Sequence, residues 1–411
     1  MSETKTILYQ VNNKKTYKIG DICDLVAGFA FKSKDFGDYP NKVVKIADIQ
    51  PPIVNTNDLV GVDMSNYDAN KLRKYIVTKG DYVLAMTGAT IGKLGRITND
   101  VEAYINQRVL TFRPNESIVD KDYLYYQLCS LNFNKYILNH IDSETAQPNI
   151  SAGSVGGFEI SLPPLEEQRR IAAILGVIDD KIENNRRIND NLEQQAQALF
   201  DNLMTNSNLE YKLIADMDHI IETGRRPKGG VANITDGVPS IGAENIKGIG
   251  KYDFSKTKYI PSDFAQSLKK GFIKGYELLI YKDGGKPGYF IPNFSIFGEG
   301  FPYDKMALNE HVFLLEFGNK GYNFFAYFYM QTEEVMKYLN AQGSKAAIPG
   351  INRNDVESIF IPTIDNKEVK EFCDIVEPII TTILVNSKES SRLAILRDTL
   401  LPKLMNGEIK L

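Results

Sequence analysis

Two stretches of the chain carry an apolar pattern typical of coiled coils. The first runs from Leu165 to Met204, with apolar residues at alternating steps of four and three along one side of a helix. These residues are Ile171, Leu175, Ile178, Ile182, Leu192, Ala196, Leu199 and Leu203. Pro163 and Pro164 precede the stretch and suit a helix start, because N–H groups in the first turn form no hydrogen bond within the helix and proline lacks one. The pattern therefore predicts a long helix with a narrow apolar seam.

The same pattern returns 201 residues further along the chain. The matching seam residues are Phe372, Val376, Ile379, Ile383, Leu393, Leu400 and Leu404. A polar interruption recurs in register, since Asn185 falls on Asn386 and Asn189 on Ser390. Either helix alone could be an ordinary amphipathic core helix, but the matched pair predicts that the two pack on each other in antiparallel orientation. Buried asparagine in a seam fixes register at a cost in stability, so we predict that these four polar residues set the register.

The second helix departs from the first at two positions. Pro378 lies inside it, where a proline removes one hydrogen bond, so we expect a kink or a break there. Arg397 stands where the first helix has Ala196.

The repeat also includes the regions before the helices. Each half has a turn leading into an apolar strand, a glycine-rich loop, a further strand, an aromatic helix and a short strand ending in proline. A period of about 200 residues indicates a duplicated domain, because solenoid repeats have periods of roughly 20 to 50 residues. The predicted class is α+β, with two mixed α/β domains joined by two long antiparallel helices under pseudo-two-fold symmetry. The predicted domains are residues 1–160, the helix 161–207, residues 208–362 and the helix 363–411.

Composition places few restrictions on function. A hydrophobic content of 43% and a charged content of 24% are ordinary for a globular protein. The net charge of −4 disfavours a non-specific nucleic-acid binder, which is usually basic. Cys23, Cys129 and Cys373 form no CxxC pair, and the sequence has no signal peptide or apolar run of bilayer length. We therefore expect a cytoplasmic protein without a membrane partner.

Sequence patterns of catalysis are missing. The segment GATIGKL from Gly88 has one residue too few between its glycines for a phosphate-binding loop. The prolines at Pro51–Pro52 and Pro163–Pro164 lack the flanking residues of an amino-methyltransferase. His140, His219 and His311 form no HExxH pair, and no GxSxG motif occurs. We expect a binding protein with no catalytic residue and no metal site.

The order of several segments resembles a known family. These are FEISLPPLEEQRRIAAIL before the first helix, PKGGVANITDGVPSIGAENI from Pro227, KGDYVLAMTGATIGKLGRI, AYINQRV and AQPNIS. Together with the duplication, they make the whole chain similar to the specificity subunit of type I restriction–modification systems. The segment AGFAFKS from Ala27 departs from the form found in many relatives, at a place where recognition domains vary with their target.

The resemblance implies a subunit without catalytic activity. Each of its two target recognition domains would bind one half of a bipartite site in double-stranded DNA. The helix pair would set the gap between the halves and dock two methyltransferase subunits, which restriction (translocase and endonuclease) subunits would join. S-adenosylmethionine, ATP and Mg²⁺ for DNA methylation and restriction would be bound by those partners, and this chain would bind no cofactor.

Residue types suited to base edges and phosphates are concentrated in matching loops. Arg and Lys recognise guanine, Asn and Gln recognise adenine, and glycine lets the backbone approach a phosphate. The predicted DNA-binding residues of the first half are Phe31, Lys32, Ser33, Thr87, Gly88, Thr90, Lys93, Asn106, Gln107, Arg108, Gln147 and Asn149. Those of the second half are Arg225, Arg226, Lys228, Glu244, Asn245, Lys247, Lys282, Lys286, Asn309, Glu310, His311, Ser344 and Lys345. The aromatic runs Tyr123–Tyr126 and Phe324–Tyr329 are predicted to be core.

Two alternatives belong to other classes. One is a complete restriction–modification enzyme, which the missing methyltransferase motifs disfavour. The other is a scaffold whose two domains bind protein rather than DNA. Basic and amide-rich loops at matching positions favour DNA, and an interaction that does not weaken with salt would favour the scaffold.

Overall fold

The computed structural model describes residues 14–142, 148–284, 288–345 and 349–411. Their mutual contacts divide the chain into two compact units. We call Met1–Asp180 with Ile395–Leu411 unit 1, and Lys181–Ala394 unit 2. Each long helix contributes residues to both units, so this division differs from the sequence-based domain boundaries, which stay a prediction.

Unit 1 is built from strands that are far apart in sequence. Lys15–Lys18 pairs in antiparallel orientation with Glu159–Leu162. A four-stranded sheet has the order Val60–Val62, Phe36–Val44, Ala103–Ile105 and Ile76–Val77. A six-stranded sheet has the order Cys23–Ala27, Val109–Pro114, Tyr82–Ala85, Leu94–Arg96, Ile53–Val54 and Ile49–Gln50.

Unit 2 repeats this plan. Tyr211–Leu213 pairs with Phe360–Pro362. A five-stranded sheet has the order Ile220–Thr223, Val312–Glu316, Leu278–Tyr281, Phe294–Ile296 and Gly248–Ile249. A three-stranded sheet has the order Lys258–Ile260, Val238–Ile241 and Ala307–Leu308. Strands in equivalent places occur in the same chain order in both units, which confirms the predicted α+β class and the duplication.

The aromatic segment of each half forms two helices, where the sequence pattern predicted one. The α-helices besides the two long ones are Ile19–Ile22, Ala69–Leu72, Lys121–Leu128, Leu131–Asn139, Ala152–Gly156, Ser262–Ser267, Lys320–Tyr329, Glu333–Gly343 and Arg353–Glu357. In unit 1 the break lies at Ser130, whose side chain accepts a hydrogen bond from Phe133 N and caps the next helix. The aromatic runs are buried as predicted, with Tyr123 and Phe324 fully inaccessible to solvent.

The two long helices are Leu165–Asn206 and Lys367–Asn406. We call them the first and second long helices. In unit 1, Ile171 and Leu175 share a core cluster with Leu404 near the end of the second long helix. In unit 2, Ala196 and Leu203 share a cluster with residues near its start, among them Val369, Phe372 and Val376. The seam is therefore buried in both units, and within each unit the two helix segments run antiparallel.

The second long helix continues through Pro378, so the break that its sequence suggested does not occur. Proline removes only the hydrogen bond to the carbonyl group four residues earlier. That residue, Asp374, is exposed, as is Pro378, so the freed carbonyl lies on the solvent side of the helix. Val376 and Ile380 are fully buried on the opposite side, and this packing keeps the segment helical.

A polar layer crosses the helix pair within unit 2. Asn185 is almost fully buried, and its Nδ2 donates to Glu389 Oε2 at 2.8 Å and to Ser390 Oγ at 3.2 Å. Asn386 Nδ2 donates to Asn189 Oδ1 at 2.9 Å. The four polar residues selected from the sequence therefore meet across the pair in antiparallel register.

The arginine at position 397 has a partner on the first long helix. Within unit 1, Arg397 Nη1 donates to Asp179 Oδ1 at 2.8 Å, and Tyr126 Oη donates to Asp179 Oδ2 at 2.7 Å. Burial by itself lowers the pKa of Arg397, but the hydrogen bond and charge of Asp179 outweigh it and hold that pKa above its usual value. The equivalent residues in unit 2 are Ala196 and Ile380, which are both fully buried. One ion pair thus distinguishes the two ends of an otherwise repeated helix pair.

Glycine is required where the first strand of each main sheet ends. A Cβ built on Gly224 would lie 1.6 Å from Leu308 O, and one on Gly28 would lie 2.2 Å from Asn106 O. Both contacts are with backbone atoms, so no side chain can move away to make room. These two glycines let the chain pass directly over the backbone of Asn106 in unit 1 and of Leu308 in unit 2.

We expect Asn189→Leu to lower the free energy of unfolding by about 1–3 kcal/mol, because Asn386 then loses its hydrogen-bond partner inside the seam. The double variant Asn189→Leu with Asn386→Leu should recover most of this loss, since both polar groups are then replaced. Urea unfolding of the four proteins in the cycle measures the coupling, with Asn184→Leu at an exposed position of the same helix as control. Additive losses would show that the two asparagines do not stabilise each other.

We expect Gly224→Ala to lower the melting temperature of the protein, because the added methyl group overlaps Leu308 O. The matched control is Gly176→Ala in the first long helix, where a Cβ meets nothing within 4 Å. That change should stabilise the helix by up to about 1 kcal/mol. Thermal unfolding of both variants tests the close approach, which an unchanged melting temperature for Gly224→Ala would contradict.

Candidate nucleic-acid interface

In unit 1, four loops meet at one edge, which we call the loop edge. They are the opening loop 28–33, the glycine loop 86–93, the strand turn 106–108 and the proline turn 148–151. Asn106 N donates to Val44 O at 3.0 Å, and Val109 N donates to Asn106 O at 2.8 Å. These bonds close the strand turn tightly, so that Gln107 and Arg108 lie exposed at its tip.

Backbone hydrogen bonds join the other loops of unit 1 to this turn. Met86 N donates to Arg108 O at 2.9 Å, and Ile150 N donates to Met86 O at 3.0 Å. Gly88 N donates to Pro148 O at 3.0 Å. The predicted residues Thr87, Gly88, Arg108 and Asn149 are therefore held together mainly by backbone hydrogen bonds, to which Thr87 Oγ1 adds a bond to Pro148 O at 3.1 Å.

The opening loop of unit 1 continues the same edge. Phe29 N donates to Ile105 O at 3.0 Å, which places the loop beside the strand turn. Phe31 is buried in an aromatic cluster with Phe29 and Tyr67. It therefore shapes the loop from inside, whereas Lys32 and Ser33 are exposed.

Unit 2 repeats four of these backbone hydrogen bonds. Its loop edge consists of the opening loop 224–230, the glycine loop 282–284, the strand turn 309–311 and the proline turn 349–352. Asn309 N donates to Ile241 O at 2.9 Å, and Lys282 N donates to His311 O at 3.0 Å. Ile351 N donates to Lys282 O at 2.7 Å, and Gly284 N donates to Pro349 O at 2.9 Å. The two units thus present the same loop framework with different side chains.

A charged network occupies the loop edge of unit 2. Arg226 Nε and Nη2 both contact Glu310 Oε1, and Arg226 Nη2 lies 2.8 Å from His311 Nε2. His311 Nδ1 contacts Asp283 Oδ1. Because a guanidinium group only donates, His311 Nε2 accepts, and the proton on Nδ1 is donated to Asp283. Residues from the strand turn and the glycine loop therefore hold one arginine of the opening loop in place.

Further predicted residues of unit 2 divide between surface and core. Arg225, Lys228, Lys247 and Lys345 are exposed. Asn245 is fully buried, and its Oδ1 accepts a hydrogen bond from Gly242 N at 3.0 Å, so it stabilises a turn.

Glu244 pairs with Lys258 across 2.5 Å. Burial raises the pKa of Glu244, but the hydrogen bond and charge of Lys258, with a backbone hydrogen bond, outweigh it and leave that pKa below the usual value. Glu244 is therefore a charged neighbour of the loop edge whose carboxylate is already partnered.

Other predicted residues have simple local environments. Thr90 Oγ1 donates to Thr87 O at 2.9 Å inside the glycine loop of unit 1, and Lys93 is exposed. Ser344 follows the helix Glu333–Gly343, whose last carbonyl accepts Gly350 N of the proline turn. Gln147 and Lys286 lie outside the described residues.

Unpaired polar atoms are concentrated at the loop edges. Among the described residues, six buried side-chain polar atoms have no hydrogen-bond partner. Four of them lie in or directly beside a loop edge, namely Asn106 Oδ1, Asn149 Oδ1, Glu310 Oε2 and Ser344 Oγ. Such atoms cost stability and are rare in folded proteins, so their clustering is typical of a functional region.

The sequence prediction missed Asp283, which orients His311. The signal was present, because the two halves align Asp283 with Thr87, a residue that was selected. Within the described parts of the chain, no group of three His, Cys, Asp or Glu side chains could hold a metal ion. No described helix has the length and apolar composition to cross a bilayer.

Comparisons with known proteins give a consistent family. Residues 12–194 match the model of the type I restriction modification DNA specificity domain. The HindI specificity subunit of Haemophilus influenzae is 25% identical, over 96% of this chain and 99% of its own length. The MjaIX specificity subunit of Methanocaldococcus jannaschii is 25% identical, over 80% of this chain and 77% of its own.

A solved structure shares the fold. The S subunit of a type I restriction–modification system from M. genitalium aligns with a TM-score of 0.60 at 16% identity, covering 96% of this chain and 98% of that one. The duplicated units and paired long helices accompany these matches, so the chain is similar, along nearly its whole length, to type I restriction–modification specificity subunits.

Proposed function

We propose that this chain selects the DNA target of a type I restriction–modification complex, with each loop edge contacting one half of a bipartite site. The observation that carries this proposal is the repeated loop framework. Four backbone hydrogen bonds that recur in both units support two different sets of side chains, as expected for two recognition surfaces with different targets. Base-specific contacts come from side chains on such loops, whereas backbone atoms and glycines allow approach to phosphates.

Local charge makes DNA a suitable ligand despite the net charge of −4. Lys32, Lys93 and Arg108 are exposed on the loops of unit 1. Arg225 and Lys228 are exposed on the opening loop of unit 2. The acidic residues of the unit 2 loop edge, Asp283 and Glu310, are engaged by His311 and Arg226, and others lie in the first turn of the first long helix. Association would therefore depend on basic loops and weaken with salt.

The long helices are the proposed docking surface for the methyltransferase subunits. Besides their buried seam, they expose Ile174, Val177, Ile375, Val385, Ile395 and Leu396. Ile174 and Ile375 occupy equivalent positions of the repeat, as expected if two copies of one partner bind. Exposed apolar side chains in such number on two helices are typical of a protein interface. The helix pair would also set the gap between the half-sites.

The chain itself is proposed to be non-catalytic. Its loop edges combine amides, arginines and lysines, a set suited to contacts with bases and phosphates. Methylation with S-adenosylmethionine, and translocation and cleavage with ATP and Mg²⁺, would be carried out by the methyltransferase and restriction subunits. In that assembly this chain would select the target sequence and provide the docking surfaces.

We expect the complex of this chain with its methyltransferase partner to select a two-part motif with a fixed gap from random duplex DNA. Lys93→Ala should alter only the half bound by unit 1, because the two loop edges belong to separate units. Sequencing of the retained DNA at two salt concentrations measures both effects. Equal loss of discrimination in both halves would contradict independent domains, and an intact complex that enriches no motif would favour the protein scaffold.

We expect Val177→Asp to reduce copurification of the methyltransferase subunit, because it places a charge in the exposed apolar surface of the first long helix. Val177 is 70% exposed, so the unfolding temperature of the free chain should not change. Gln194→Asp, at an exposed polar position of the same helix, is the matched control. Unchanged subunit stoichiometry in Val177→Asp would contradict docking at this position.

A further inference from the structure

We propose that Arg226 contacts a guanine in the half-site of unit 2, positioned by Glu310 and His311, and that unit 1 presents its own arginine, Arg108, from a different loop. This inference rests on the proposed function and adds to it the base and the residue that determines specificity. It follows from a difference between the two units, which share a loop framework but carry an arginine on different loops.

The hydrogen bonds to Arg226 fix the direction of its guanidinium group. Glu310 Oε1 holds the edge formed by Nε and Nη2, and His311 Nε2 takes the remaining Nη2 hydrogen. Asp283 holds the imidazole from its far side. Nη1 has no hydrogen-bond partner among the described residues, and the side chain is 35% exposed. The free end of a preorganised arginine therefore faces solvent at the loop edge.

The surroundings of Arg226 leave room for a ligand. Arg226 and Glu310 line an open concavity with the backbone of the opening loop, including Gly224 and Gly230. Gly229 and Gly230 both have positive φ angles, and a Cβ on either would meet nothing within 4 Å. A backbone without side chains at this point lets a DNA strand come close to the arginine.

The environment of Glu310 indicates positioning rather than base contact. Its Oε1 is occupied by Arg226, and its Oε2 is buried without a hydrogen-bond partner. An ordinary exposed ion pair contributes little to stability, and burying an unpaired carboxylate oxygen costs free energy. An arrangement that is costly for folding but orients an arginine is expected where that arginine has a ligand to recognise. The free Nη1 group of Arg226, held in one direction, is suited to donate to the O6 or the N7 atom of guanine.

Unit 1 differs at each equivalent position. Ala30 takes the place of Arg226 two residues after the close-approach glycine, and Gln107 takes the place of Glu310. Arg108 takes the place of His311, and its exposed side chain has no partner among the described residues. Each loop edge thus carries an arginine within its recognition loops, from the strand turn in unit 1 and from the opening loop in unit 2. The two half-sites should therefore differ in where their guanine lies.

The test uses the complex with the methyltransferase partner and selection from random duplex DNA. Arg226→Lys keeps the positive charge and loses the planar fork of donors. We expect the preference for guanine at one position of one half-site to fall about ten- to one-hundred-fold. The other half-site and the salt dependence of binding should stay as in the wild type. Arg108→Ala should affect guanine in the opposite half-site, which assigns the halves to the units.

Glu310→Ala tests positioning, because it should cause the same loss of guanine preference as Arg226→Lys at the same melting temperature. Glu310→Gln should restore part of the preference, since the amide oxygen still accepts from Arg226. If Glu310→Ala does not fold, the guanine preference of the Arg226→Lys variant alone tests the proposal. A two-part motif that survives unchanged in Arg226→Lys, or that lacks guanine in that half, overturns this inference and leaves the proposed function standing. The absence of any two-part motif overturns both.

Discussion

The antiparallel contact between the two long helices is the constraint on which both units depend. Each unit completes its core with a segment from either helix, the start of one and the end of the other. In unit 2, Phe200 and Phe372 stack against the buried aromatic helix that contains Phe325 and Phe328. In unit 1, Leu175 and Leu404 close the core over Tyr123. Because these residues come from distant parts of the chain, neither unit is complete without both helices.

The apolar seam between the helices is interrupted at few points by polar residues. Asn185 and Asn189 bond across the pair to Ser390 and Asn386, where apolar residues would pack with greater stability. Asp179 and Arg397 form an ion pair at a position where the other unit has two apolar residues. A purely apolar seam could slide by one heptad, whereas these pairs are satisfied in one alignment. The polar pairs therefore lower the stability of the helix pair and fix a unique register.

At the loop edges, backbone atoms set the geometry, and the side chains differ between the units. Their geometry comes from backbone hydrogen bonds that are repeated between the units, such as Met86 N to Arg108 O and Lys282 N to His311 O. Side chains on this frame can change without altering its hydrogen bonds, since few of them contribute to it. One duplicated scaffold can thus carry two different sets of surface side chains. The exceptions are Gly28 and Gly224, where the close approach of backbone to backbone admits no side chain.

The sequence by itself determined the repeat, the two long helices and their buried seam. Heptad spacing is a local signal, and the same pattern recurs after 201 residues, so both can be found along the chain. It also selected the four polar residues that meet across the pair. It did not show that the aromatic segments divide into two helices, since capping by Ser130 competes with a continuous apolar pattern. Nor did it show that Phe31 and Asn245 lie in the core.

Only the tertiary structure decided which residues meet at the loop edges. The Arg226, Glu310, His311 and Asp283 network joins loops separated by up to 85 residues, and no periodicity encodes such a meeting. The break expected at Pro378 is absent for a related reason, because the effect of a proline depends on which side of the helix faces solvent. Patterns along the chain specify elements and faces, whereas the contacts that build a binding surface arise when distant loops are brought together.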